Sequence, residues 1–199
     1  MWAPTTLHLY PITSYNILTR DPVPVQDATA NDYFSRMSDD VARFGPRLSV
    51  EAIFLTHNHG YPHVLLFKSD VPNDFRKYRL PGGKLLPGES EVDGLKRKLS
   101  TKLDPHGVVD WDVGEIVATY YRPEFSPQLV PFIPPSVSTP KEKVLVFVVQ
   151  LPPKAEFFQA KNHKLVAIPL DELYDRSSEY GKYLAEIPIY LSRVNLVLS

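Results

Sequence analysis

The chain has 199 residues, 43% of them apolar, with 22 lysines and arginines against 23 acids and a net charge of −1. That length can bury a core as one domain, and the even charge excludes a surface that binds polyanions everywhere, so any nucleic-acid contact has to come from a local patch. With no cysteine, disulfides, thiolate metal sites and cysteine nucleophiles are excluded, which fits a reducing nuclear or cytosolic compartment.

Met1-Trp2-Ala3-Pro4 carries no basic-then-apolar leader, and no apolar run approaches the roughly 20 residues of a membrane helix, so a soluble, unprocessed chain with no membrane partner is expected. Alternation predicts a strand over Leu7-His8-Leu9-Tyr10, followed by a proline-punctuated loop from Arg20 to Asp27. A helix comes next. Thr29 can cap it, Tyr33, Phe34, Met37, Val41 and Phe44 form a stripe at helical spacing, and Gly45-Pro46 stops it. Runs at Ser49 to Thr56 and His63 to Lys68 flank His57-Asn58-His59-Gly60-Tyr61-Pro62, which predicts a β-hairpin with His57, His59 and His63 on its surface.

An irregular segment from Ser69 to Arg79 precedes a loop with three glycines, Leu80 to Glu89, which opens into a second helix from about Glu91 to Leu103. Strands are predicted at Glu115 to Arg122, at Val144 to Leu151 and at Leu165 to Leu170, the second so continuously apolar that both its faces should be buried. Six prolines from Pro123 to Pro140 exclude regular structure between the first two and predict a rigid surface loop, where Tyr120-Tyr121 are half-buried strand aromatics. Glu179 to Leu198 reads as a broken terminal helix with Pro188 in a first turn. Interleaved strands and helices predict an α/β sandwich with a mixed sheet. One domain over 1–199 is expected: a core of about 48–170, an N-terminal extension of 1–47 and a C-terminal helical segment of 171–199.

The stretch from Gly82 to Arg97 resembles the first part of the Nudix box, G-x5-E-x7-R-E-U-x-E-E-x-G-U with U bulky and apolar: Gly83, Glu89, Arg97 and Leu99 fall on the pattern inside a loop-to-helix context. That resemblance implies a Nudix α/β/α sandwich, here with extra N- and C-terminal elements. Active members hydrolyse linked nucleoside diphosphates with magnesium held by the glutamates of the R-E-U-x-E-E turn. At those three positions this chain has Lys98, Thr101 and Lys102, a change from −3 to +2 on one helix face. Magnesium needs carboxylate oxygens, so ammonium groups both remove its ligands and repel it. Without a Lewis acid and an activated water, the ordinary hydrolysis has no starting point, and neither a catalytic residue nor a cofactor is expected. Glu89 and Arg97 can instead pair to pin the loop to the helix, with Val92, Leu95, Leu99 and Leu103 seating that helix on the sheet.

Further segments in order along nearly the whole chain, among them Leu9-Tyr10-Pro11, Val50-Glu51, Pro62 to Leu66, Arg122 to Phe125, Lys161 to Ala167 and Glu172 to Asp175, resemble the small Nudix subunit of the pre-mRNA 3′-end processing factor cleavage factor I. The resemblance implies a nuclear homodimer without hydrolase activity that recognises UGUA in single-stranded RNA and pairs with a larger subunit carrying an RNA recognition motif. By position it implies an RNA surface at Glu51, at Phe75, Lys77, Tyr78, Arg79 and Leu80, and at Tyr180 and Gly181. Carboxylate and backbone groups can read base edges, rings can stack on bases, and Arg76, Lys77, Arg79 and Lys84 can meet phosphates. The chain departs from the family at Val25 and Tyr33, where a glutamate and an arginine are usual, and in a short insertion containing Phe75. Two other functions stay open on the residues alone: a hydrolase of dinucleoside polyphosphates or capped nucleotides using Glu89, Glu91 and Asp93, and a purely structural assembly subunit.

Overall fold

The computed structural model describes residues 5–199; Met1 to Pro4, read above as free of a leader, lie outside the described residues. β1 (Thr6–Leu9) leads through a short turn to β2 (Tyr15–Arg20) and then α1 (Ala30–Phe44). Helix α1 starts in a reciprocal capping box, with Thr29 accepting from the Asp32 amide while Asp32 reaches back to the Thr29 amide, and it stops at Gly45 with φ 83°. Only Tyr33, Phe34 and Met37 of the predicted stripe are buried; Val41 is half-buried and Phe44 is 73% exposed, because the last turn of α1 runs past the body it packs on.

β3 (Arg47–Ile53) and β4 (Leu55–Asn58) divide what the sequence presents as one apolar run. The chain changes sheets at Phe54, so β3 pairs within one sheet and β4 forms the edge of the other. The hairpin is therefore β4 with β5 (Tyr61–Ser69), and its turn is the two residues His59 and Gly60, both at positive φ, the geometry that suits a two-residue connection. β6 (Tyr78–Arg79) and β7 (Gly82–Lys84) lead into α2 (Glu91–Leu103), capped by Ser90, whose hydroxyl accepts from the Asp93 amide. Leu95, Leu99 and Leu103 are buried as expected, whereas Val92 is exposed on the outer side of the first turn.

β8 (Asp112–Arg122), β9 (Glu142–Gln150), β10 (Ala155–Ala160) and β11 (His163–Pro169) complete the two mixed sheets, ordered β2-β10-β11-β5-β4 with β6 on β5, and β7-β3-β9-β8. Alternate residues of β9 feed two separate cores: Val144, Val146 and Val148 face one, and Leu145, Phe147 and Val149 the other. α2 closes the second core. The short helices α3 (Leu170–Asp175), α4 (Ser177–Tyr180), α5 (Lys182–Ala185) and α6 (Ile187–Leu191) close the first, giving the expected α/β/α layering.

Two expectations fail at the C-terminal end and at the sheet edge. The segment read as a broken helix to Leu198 ends as a strand, β12 (Asn195–Leu198), which pairs in parallel with β1; a run of four residues is too short for periodicity to distinguish the two. Pro188 does fall in the first turn of α6. Strands β2 and β10, also parallel partners, were not foreseen.

Candidate nucleic-acid interface

A cleft of about 1070 Å³ opens where β3 and the glycine loop meet α1, the β5–β6 loop, the proline-rich loop and the start of α5. Nine lysines and arginines line it against five acids, so a chain of net charge −1 carries its positive excess here.

The floor is set by backbone contact. Gly82 pairs with Glu51 across β7 and β3 at φ 156°, and a Cβ at that position would overlap the Val50 carbonyl oxygen, so only glycine allows the two strands to close. The loop beyond is tied to α2 by Arg97, whose guanidinium donates to both oxygens of Glu89 at 2.6 and 2.7 Å. Glu89 also accepts from the Leu86 amide, and the Arg97 pair first and this bond second hold its carboxyl down at about 2. Lys98 lies along Gly83, and Lys102 donates its ammonium to the Gly82 carbonyl. Glu51 accepts from the Tyr183 hydroxyl of α5. Burial pushes the Glu51 carboxyl up to about 7 against that hydrogen bond, and burial, helped by repulsion from Arg79 and Lys98, brings Lys102 down to about 7. Two groups of opposite sign thus titrate near neutrality in one cleft.

The rim is aromatic and cationic. Tyr33 packs on Phe34 and on Phe75 of the β5–β6 loop, with ring centroids 5.1 and 5.4 Å apart. Three guanidinium groups surround the Tyr33 ring: Arg36 at 5.5 Å, Arg47 at 5.7 Å and Arg76 at 4.2 Å. Arg36 is held by both oxygens of Asp27, and Arg47 reaches Asp40 at 3.4 Å. Arg76, Arg79, Lys98 and Lys102 have no acid within ion-pair distance among the described residues. The proline-rich loop is clamped at its neck by a buried pair, Arg122 Nε donating to Glu142 at 2.8 Å, while Ser49 donates to the other Glu142 oxygen at 2.6 Å.

The residues named from sequence are distributed unevenly over this site. Glu51, Phe75, Tyr78, Arg79, Leu80, Tyr180 and Gly181 all border the cleft, as do Gly83, Lys98 and Lys102 of the box. Leu80 and Tyr180 do so from the core: Leu80 is 2% exposed, and the Tyr180 ring packs edge-on against Tyr78 at 4.8 Å while its hydroxyl donates to Glu172. Phe75 is half-buried among α1 aromatics. Lys77, just before β6, is exposed outside the cleft wall, its ammonium 5.5 Å from the Tyr78 ring. Thr101 is exposed and spends its hydroxyl on the Arg97 carbonyl one turn back. Tyr183, Arg36, Arg47, Arg122 and His163 were not assigned to the site from sequence; a signal existed for two of them, since Tyr183 follows Tyr180 and Arg36 follows Tyr33 by three residues.

The magnesium implied by the box does not fit these side chains. The turn that would hold it presents Lys98, Thr101 and Lys102, and among the described residues no group of three or more histidine and carboxylate side chains is placed to hold an ion. The fold and the box together define a Nudix-type protein, and the family model NUDIX_2, described as nucleotide hydrolase, matches residues 5–194. The pre-mRNA cleavage factor Im 25 kDa subunit 2 of Arabidopsis thaliana is 43% identical over 190 residues, 94% of this chain and 93% of that one. Cleavage and polyadenylation specificity factor subunit 5 of Dictyostelium discoideum is 38% identical over 96% of both chains, and Arabidopsis subunit 1 is 38% identical over 93% of this chain and 83% of its own. Within the Nudix class, the chain belongs to the family of pre-mRNA cleavage factor Im 25 kDa subunits.

Proposed function

We propose that the chain is a non-catalytic subunit of the pre-mRNA 3′-end cleavage and polyadenylation machinery that binds single-stranded RNA with preference for UGUA. The observation that carries this reading is the cleft in which ammonium groups stand at the metal positions of a Nudix turn beside unpaired arginines and half-buried rings. Such a lining holds phosphates without supplying a metal to attack them, while Glu51 and the backbone around Gly82 and Gly181 offer hydrogen-bonding groups for base edges. The resemblance adds a nuclear homodimer that docks a larger subunit with an RNA recognition motif.

Fluorescence anisotropy at moderate salt should give tighter binding to UGUA RNA than to a scrambled sequence, and equal affinities would overturn the sequence preference. Glu51→Ala should narrow that ratio while leaving the fold intact by circular dichroism; an unchanged ratio removes Glu51 from the site. Magnesium-dependent turnover of a panel of dinucleoside polyphosphates and capped nucleotides should be absent, and steady product release would establish a hydrolase instead.

A further inference from the structure

Arg76, Arg79 and His163 approach the cleft from the β5–β6 loop, from β6 and from the start of β11, elements joined by the register of β5 with both β6 and β11. Each carries a buried ring or guanidinium nitrogen with no hydrogen-bond partner among the described residues: Nε of Arg76, Nε of Arg79 and Nδ1 of His163. Buried polar nitrogens left unpaired are costly, and two of these three belong to permanent cations with no acid in ion-pair range among the described residues. Arg76 is also fixed in place, its guanidinium lying 4.2 Å from the Tyr33 ring and 5.2 Å from that of Phe75. A fork so held, beside a second cation and an imidazole, matches a group with several acceptor oxygens and negative charge.

We propose that Arg76, Arg79 and His163 form a seat for one phosphoryl group of the bound strand, separate from the groups that read bases. This rests on the RNA reading above and assigns one phosphate within it. The acceptor is a phosphoryl oxygen set, supplied by an internal phosphodiester or by a terminal phosphate.

The test measures RNA affinity against salt for the full chain and for Arg76→Gln. Loss of one phosphate contact from a single strand should lower the slope of log K against log salt by about 0.7 and weaken binding about tenfold at low salt, with the UGUA-to-scrambled ratio unchanged. Arg76→Lys should restore the slope but not the full affinity, since the charge returns without the fork. Unchanged slope in Arg76→Gln overturns the seat, as does a collapse of the sequence ratio at constant slope, which makes Arg76 a base reader. RNA with a single neutral methylphosphonate linkage should mimic the variant at one position if the phosphate is internal. Removing a 5′-phosphate should do so if it is terminal. Inorganic phosphate should raise the unfolding midpoint of the full chain more than that of Arg76→Gln, a result that stands even if UGUA preference fails. Where Arg76→Gln does not fold, Arg79→Gln is read by the same slope.

Discussion

Glu51 and Lys102 give the cleft a charge that depends on pH. At pH 6 the Glu51 carboxyl is mostly protonated and the Lys102 ammonium intact, and by pH 8 each has lost its proton, making the cleft more negative. On the proposed RNA reading, affinity should therefore fall as pH rises through 7, by about tenfold between pH 6 and 8 at fixed ionic strength, given roughly 1 kcal/mol or less per charge in solvent. Anisotropy titrations check this, and Glu51→Gln should flatten part of the curve. The stability consequence has a definite sign. Because the folded value of Glu51 lies above its ordinary 4.5, the folded state holds the proton more tightly, and stability is lost as pH rises from there to about 7. Glu51→Gln should thus stabilise the chain by about 1–3 kcal/mol at pH 8 and hardly at all at pH 4, as read by urea unfolding. Glu51 was legible only through resemblance; periodicity could place it on a strand but not reveal that Tyr183, 132 residues away, would donate to it. Arg36 and Arg47 were missed for the same reason, because the elements carrying them meet Arg76 around Tyr33 only in three dimensions.

At the scale of the element, the glycine loop and α2 act as one unit, pinned by the Arg97–Glu89 pair and by the approach of Gly82 to β3. Gly82→Ala should cost about 3 kcal/mol or more, since it combines a positive φ with overlap against Val50, and thermal unfolding would show it. By contrast Thr29→Ala should cost only about 1 kcal/mol, the usual worth of a capping side chain. The ends of α2 were readable in the sequence because Ser90 caps it and Leu95, Leu99 and Leu103 keep helical spacing. β2 and β10 were not, because they pair in parallel across some 140 residues and neither run alternates cleanly; β12 was absorbed into the helical pattern before it.

For the whole molecule, the β9 run in Val144 to Leu151 announced a strand covered on both sides, and its residues do supply both cores. The crossing of the chain from one sheet to the other at Phe54 was invisible, because an unbroken apolar run reads as one strand. Since β9 ties both cores together, unfolding should be a single calorimetric transition with equal calorimetric and van't Hoff enthalpies, and two peaks would divide the chain. The buried Arg122–Glu142 pair closes the proline-rich loop onto this body, and Arg122→Met should cost about 3–5 kcal/mol by stranding the carboxylate. Lys102 has a consequence for how such a protein lives among fluctuating ions. Below its titration near 7, the Lys102 ammonium is a cation covalently part of α2 and docked on the Gly82 carbonyl, at a turn where the Nudix box places a metal ligand. On the proposed RNA reading, chelators should leave binding unchanged, and anisotropy with and without EDTA checks this.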